Sequence, residues 1–341
     1  VTGNTTHRFA RTSVLSVERV EAPEVVTSAE FDEQLEDVFK RTRLRGGLLE
    51  RLVGIRARRW WAEGETFTDG AARAGQAAIA ASGLGVDDID LMINTSVSRR
   101  WLEPSTSVVV HDQIGLPPSC QNFDITNACL GFLNGIEVAG AMVESGMIDH
   151  ALIVNGEDSR HLQQTTIARL LAEETTSKDV MAEFAALTLG SGAVAVVVGR
   201  TDDHPDAHRV VASASRAGTE HNGLCYGDNE QMTTDLKGLL DAGLELSTAL
   251  WAEATQEFDW GQGMDRYFVH QVSQVHTEAI CQRLDIDPTR VPRTFPEFGN
   301  IGPASVAYTL AGEQHALDRG DRVLMMGIGS GLNATCMELE W

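Results

Sequence analysis

The chain has 341 residues, is 43% hydrophobic and carries a formal net charge of −22. That length and apolar content support a large core and suggest two domains or two fused halves. The acidity excludes phosphate-tracking nucleic-acid binding and electrostatic docking on anionic lipid, and no apolar run approaches the ~20 residues needed to span a bilayer.

Residues 1–15 lack the apolar core of a secretory signal, so a cytoplasmic protein is expected. The five cysteines (120, 129, 225, 281 and 336) are scattered without CxxC spacing. This suits reduced thiols better than a disulfide framework or a metal site. Along the chain, residues 91–95 (LMINT) read as a buried strand, 122–125 (NFDI) as a second and 151–155 (ALIVN) as a third. Between the last two, apolar residues at 130, 133, 136, 139, 142 and 143 predict a helix with a broad buried face. Residues 160–186 read as an excursion of polar helix and loop. Residues 186–200 (ALTLGSGAVAVVVGR) read as two strands around a glycine turn, a design repeated at 323–339, with Gly-Ser-Gly at 190–192 and again at 329–331. Strands leading into Ser96 and His270 echo each other in the same order. An α/β protein of two duplicated halves, 1–205 and 206–341, accounts for these repeats.

Cys129 falls between a predicted strand and the start of the long helix. A thiol there meets free backbone N–H groups and the positive end of the macrodipole, so its pKa is expected to fall. Cys281 lies mid-helix and Cys336 mid-strand, while Cys120 and Cys225 flank loops without a basic partner nearby in sequence. His270 ends the strand Tyr-Phe-Val-His, with His276 a decoy one or two turns later. Asn300 sits in Phe-Gly-Asn-Ile-Gly-Pro-Ala-Ser, a tight loop feeding a helix start. Gly329-Ser330-Gly331 can bring backbone N–H groups close to a substrate oxygen.

A cysteine at a helix start, a histidine at a strand end and an asparagine in a glycine-rich loop, in this order, resemble the thiolase superfamily, specifically its ketoacyl synthase III branch. The resemblance runs from Gly54-Ile55-Arg56 to the final strand. It implies a five-layered αβαβα thiolase fold and a homodimer. It also implies an acyltransferase in which Cys129 takes an acyl group from coenzyme A, the oxyanion being held by backbone N–H groups of Cys129 and Ser330. His270 and Asn300 then bind the carbonyl of a second thioester. Coenzyme A thioesters enter as substrates, with no tightly bound cofactor and no metal.

In decarboxylating relatives the residue before Pro104-Ser105 is usually apolar; here it is Glu103. With Glu103, Ile93–Arg99 and Gly299–Val306 included, the chain resembles OleA-type thiolases, which join two fatty acyl-CoAs head to head to a 2-alkyl-3-ketoacid for olefin or β-lactone formation by downstream enzymes. There the glutamate crosses the dimer interface and acts as base. Desolvation in an apolar tunnel would raise its pKa. Ketoacyl synthase III enzymes often carry an arginine two residues before Gly-Ile; this chain has Leu52, leaving Arg56, Arg58 and Arg59 as candidates for the CoA phosphates. The competing readings are a decarboxylative ketoacyl synthase, an acyltransferase to an alcohol, and an inactive subunit of a heterodimeric synthase.

Overall fold

The computed structural model describes residues 3–341. Ten strands form one hydrogen-bonded sheet, in the order Arg266–Val269, Arg322–Gly329, Asn333–Glu340, His208–Ala217, Thr12–Glu21, Gly192–Arg200, His150–Glu157, Leu91–Asn94, Gln121–Asp124, with Thr5–Arg8 also paired to His208–Ala217. At the middle, Thr12–Glu21 and His208–Ala217 share only the pairs Ser13↔Arg209 and Val14↔His208. On either side of this seam the chain follows one plan. The first strand lies beside the last, the last pairs antiparallel with the penultimate, and the second strand follows. The amino-terminal side adds Gln121–Asp124 at its edge.

Strict alternation within fully buried strands produces the layers, because side chains two apart share a face. Leu91, Ile93, Ala151, Ile153, Val194, Val196, Val323 and Met325 pack on the Gly131–Glu144 and Ser305–Glu313 helices in one central cluster. Their neighbours Met92, Leu152, Val154, Ala193 and Ala195 face outward onto the Phe67–Ser82 and Thr106–Ile114 helices. Leu324 and Met326 face outward onto the Leu236–Phe258 and Gln274–Leu284 helices. Helix, sheet, helix, sheet, helix: the five expected layers are present. The Gly131–Glu144 helix places Phe132, Leu133, Ile136 and Val143 at 2% exposure or less. Each such side chain contributes about 1.5–3 kcal/mol of burial, so this helix, which begins beside Cys129, is firmly seated.

One element departs from the sequence reading. Residues 323–339 form the expected hairpin, but 184–188 are a 3₁₀ turn and only Gly192–Arg200 is a strand. The carbonyls of Ala186 and Leu189 accept from Gln163 Nε2, at 3.2 and 2.8 Å, and Thr188 accepts from Asn300 N–H at 2.9 Å. With its backbone groups satisfied elsewhere, the segment has no need of a sheet partner. The polar excursion is two helices, Arg160–Leu170 and Ser177–Glu183. Among the described residues no helix is long and apolar enough to cross a membrane.

Candidate active site

Cys129 occupies a sharp turn between the Gln121–Asp124 strand and the Gly131–Glu144 helix. Ala128 takes φ +45°, a left-handed conformation disfavoured for a residue with a Cβ. The turn is fastened on both sides. Asn127 donates through Nδ2 to Asn134 Oδ1 at 2.8 Å and accepts at Oδ1 from Asn333 Nδ2 at 3.2 Å. Asn333 opens the last strand, so the Gly329-Ser330-Gly331 turn lies against the cysteine turn. A Cβ on Gly329 would stand 2.8 Å from the Asn127 carbonyl oxygen, and only glycine permits that approach.

The Cys129 thiol is not acidified. The residue keeps some exposed surface, but burial of the thiol, with Glu157 and then Cys225 nearby, pushes its pKa up to about 12. The helix begins one residue later, with Leu130 as its N-cap, and its amino-terminal end does not outweigh the burial of the thiol. At neutral pH Cys129 is a thiol, and it must lose its proton as it attacks.

His270 follows the Arg266–Val269 strand and is 3% exposed, its N–H donating to Met326 O at 2.9 Å. Burial, reinforced by His276, pushes its pKa down to about 3, so the ring is neutral at any working pH. Gln271 locks this strand end. It donates to Val269 O (3.0 Å) and Pro292 O (3.2 Å) and accepts from Thr294 N–H (3.0 Å), tying His270 to the segment that leads to Asn300.

Asn300 is held by its backbone between Thr188 O and Gly190 N–H, both at 2.9 Å. Gly190 is needed at this crossing, since a Cβ there would fall 1.8 Å from Phe298 O. The Asn300 side-chain oxygen accepts from Gly302 N–H (3.0 Å) and Ser305 Oγ (3.4 Å). With Oδ1 committed, Nδ2 is the end left to bind a ligand, and it can only donate. Asn300 and the neutral His270 ring thus supply N–H donors without a formal charge.

Glu157, which sequence reasoning missed, joins these parts. It ends the His150–Glu157 strand, and its carboxylate accepts from Val97 N–H (2.8 Å), Ser98 N–H (3.0 Å), Ser98 Oγ (2.6 Å) and Asn155 Nδ2 (3.2 Å). Even so, burial wins and its pKa rises to about 7. A Cβ on Gly302 would lie 3.6 Å from Glu157 Cγ, so the carboxylate abuts the Asn300 loop. An acid closing a fully buried strand was the signal available in the sequence.

From Val97 and Ser98, which Glu157 holds, the chain runs into the loop bearing Glu103. Arg99 is anchored on Asp124 (3.4 Å) and Thr126, and Asp124 accepts from Thr106 and Ser107 N–H at the far end (3.0 and 2.8 Å). Between these anchors Trp101 and Leu102 stand 44% and 95% exposed. Glu103 is exposed too, with no hydrogen-bond or ion-pair partner among the described residues. Within one chain, therefore, Glu103 is not enclosed with Cys129.

The arginine trio separates. Successive residues of the Ala57–Trp60 strand face opposite ways. Arg58 is fully buried, its guanidinium 4.5 Å from the Phe31 ring centre and donating to Ser28 Oγ at 3.1 Å, and burial lowers its pKa to about 10. It therefore cannot meet a phosphate at the surface, which corrects the sequence expectation. Arg59 lies over Phe298 (5.2 Å), and Arg56 is exposed and paired with Glu297. Cys281 and Cys336 are buried in the carboxy-terminal outer cluster, as their mid-helix and mid-strand positions suggest.

The family model for 3-oxoacyl-[acyl-carrier-protein] synthase III matches residues 123–218, and that for its C-terminal part matches residues 261–341. The acyl-CoA:acyl-CoA alkyltransferase of Xanthomonas campestris is 39% identical, over 98% of this chain and 99% of its own. That of Shewanella oneidensis is 32% identical, over 98% and 100%. Among solved structures, X. campestris OleA with bound lauric acid and lauroyl-CoA superposes with a TM-score of 0.96 at 39% identity, covering 98% of this chain and 100% of that one. A cerulenin-bound form of the same protein also gives a TM-score of 0.96.

Proposed function

Because the chain belongs to the 3-oxoacyl-[acyl-carrier-protein] synthase III family of the thiolase superfamily, among its acyl-CoA:acyl-CoA alkyltransferases, we propose that it joins two fatty acyl-CoA molecules by a Claisen condensation without decarboxylation. In the first step Cys129 Sγ attacks the thioester carbonyl of one acyl-CoA. The carbon–sulfur bond to coenzyme A breaks, and the thiol proton leaves with the CoA sulfur. Backbone N–H groups of Cys129 and Ser330 hold the oxyanion. In the second step His270 and Asn300 donate to the carbonyl of another acyl-CoA. Glu103 of the partner subunit removes its α-proton. The enolate carbon attacks the acyl-cysteine, a carbon–carbon bond forms, the Cys129 thioester breaks, and the leaving sulfur takes up a proton as the partner's Glu103 gives its own back, which restores thiol and carboxylate. Hydrolysis of the remaining CoA thioester releases the 2-alkyl-3-ketoacid.

The observation that carries this reading is the pair of uncharged N–H donors. A neutral histidine and an asparagine whose oxygen is already committed suit an enolate that forms and vanishes within one turnover. Crystallised variants of the X. campestris protein give independent support. They alter one cysteine, one histidine and one glutamate. The glutamate and cysteine there are spaced as Glu103 and Cys129 are here, and the cysteine-to-histidine spacing exceeds that from Cys129 to His270 by one residue.

The protein acts as a homodimer in this reading, which the exposed Trp101 and Leu102 of the Glu103 arm support as an apolar surface open to a partner. The halves divide at 205/206, so that each contributes part of the site. Of the candidate arginines, Arg56 and Arg59 remain for the CoA phosphates. The reaction belongs in the cytoplasm, at the head of a long-chain olefin or β-lactone route whose later enzymes consume the ketoacid. The test is purified protein with myristoyl-CoA alone, followed by CoA release and mass spectrometry. Free CoA and a condensed ketoacid, or its ketone, support the proposal. A requirement for malonyl-CoA, or no condensed product, overturns it.

A further inference from the structure

His276 stands in the first turn of the Gln274–Leu284 helix, its N–H capped by Ser273 Oγ at 3.1 Å. Nothing in the proposed reaction uses its side chain. Its Nδ1 is sealed from solvent with no hydrogen-bond partner among the described residues, and the same is true of His270 Nδ1. A buried imidazole nitrogen without a partner is costly. Here the two histidines that carry these nitrogens line one cavity. The cavity measures about 30 Å³ and is lined by His270, His276 and Ser247 within otherwise apolar walls that include Leu250, Met326 and Cys336. That volume is enough to hold water, for which roughly 10–15 Å³ suffices, and three polar side chains stand in the lining to meet it.

We infer that this cavity seats an ordered water that links His276 to His270 and fixes which nitrogen of His270 carries the proton. The inference rests on the proposed role of His270 as donor to the second thioester. A neutral imidazole has one N–H. Placed on Nδ1, it would point into the cavity and be lost to catalysis. Placed on Nε2, it is available to the substrate carbonyl, and Nδ1 must then accept a hydrogen bond. The water supplies that bond. His276 Nδ1–H donates to the water oxygen, one water hydrogen goes to His270 Nδ1, and the other goes to Ser247 Oγ. Each bond polarises the next toward the substrate. His276 is thus a positioning residue that acts through His270 and touches no substrate.

The test is ¹⁵N spectroscopy of ring-labelled histidine in the whole protein, with His270 assigned by its loss in His270→Asn. The wild type should show His270 protonated on Nε2, and a crystal structure should show a water within hydrogen-bond distance of both Nδ1 atoms. His276→Leu should leave acylation of Cys129 unchanged, slow condensation about 10-fold or more and mix the His270 tautomers. His276→Asn, whose Nδ2 reproduces the donor, should restore both rate and tautomer, and it serves alone if the leucine variant does not fold. A wild-type His270 protonated on Nδ1, a dry cavity, or a folded asparagine variant with mixed His270 tautomers would each overturn the inference. Because the tautomer is read without turnover, a wild type that fails to condense counts against the proposed function alone.

Discussion

Glu157→Gln removes a buried carboxylate while keeping its shape, and its effect on stability must depend on pH. Burial raises the Glu157 pKa from 4.5 to about 7 in the folded chain. The folded state therefore holds this proton to higher pH than the unfolded state does. The contribution is fully present below pH ~4.5 and is lost as pH rises toward ~7, since stability falls wherever the native state binds more protons. A shift of that size corresponds to about 3 kcal/mol between pH 4.5 and 8. Glutamine carries no such slope. Its amide nitrogen instead faces N–H and O–H donors from Val97 and Ser98, which costs about 1–3 kcal/mol at every pH. Wild type should accordingly be the more stable at pH 5, and by pH 8 the gap should close or reverse. Urea unfolding of both proteins at matched protomer concentration, in steps from pH 5 to 8, measures this, and other titrating groups cancel in the difference. A gap that stays constant across the range refutes the reasoning.

Three further outcomes follow from the same geometry. Mixing Cys129→Ala with Glu103→Ala, each inactive alone, should restore condensation in heterodimers if Glu103 serves the partner's site; no recovery after subunit exchange is established argues for a base within one subunit. With His270 held neutral down to about pH 3, the condensation rate should show no histidine titration between pH 5 and 8, and a pH-rate break there that disappears in His270→Asn contradicts the site as described. Gly190→Ala sets a Cβ against Phe298 O, 1.8 Å away in the present backbone, and should destabilise by about 1–3 kcal/mol and displace Asn300, so condensation should fall further than Cys129 acylation; unchanged melting and turnover show that the crossing is looser than drawn.

Local pattern revealed much of this architecture. Continuous apolar runs at 91–93 and 151–154 mark strands buried on both faces, and the spacing through 130–143 marks the central helix. Cys129, His270 and Asn300 were found because each interrupts such a pattern at an element's end. What the sequence hid depends on contacts distant along the chain. Residues 186–189 read as a strand because Ala-Leu-Thr-Leu is apolar and precedes glycine, yet Gln163 and Asn300 take their carbonyls. The thiol of Cys129 looked acidified by the helix start, but burial and Glu157 decide its pKa. Arg58 and Arg59 are equivalent as letters, and only the packing of Phe31 and Phe298 on opposite faces of their strand separates them. His276 reads as a decoy by its position, yet the fold sets it beside His270 on one cavity.

The central claim is that Cys129 is acylated first and that Glu103 acts only afterwards. Intact-mass and product analysis of Glu103→Ala with a single acyl-CoA tests it most directly. The account predicts release of CoA matched by an acyl adduct on Cys129, with no condensed ketoacid. A variant that condenses at the wild-type rate, or one that fails to acylate Cys129 at all, would contradict it.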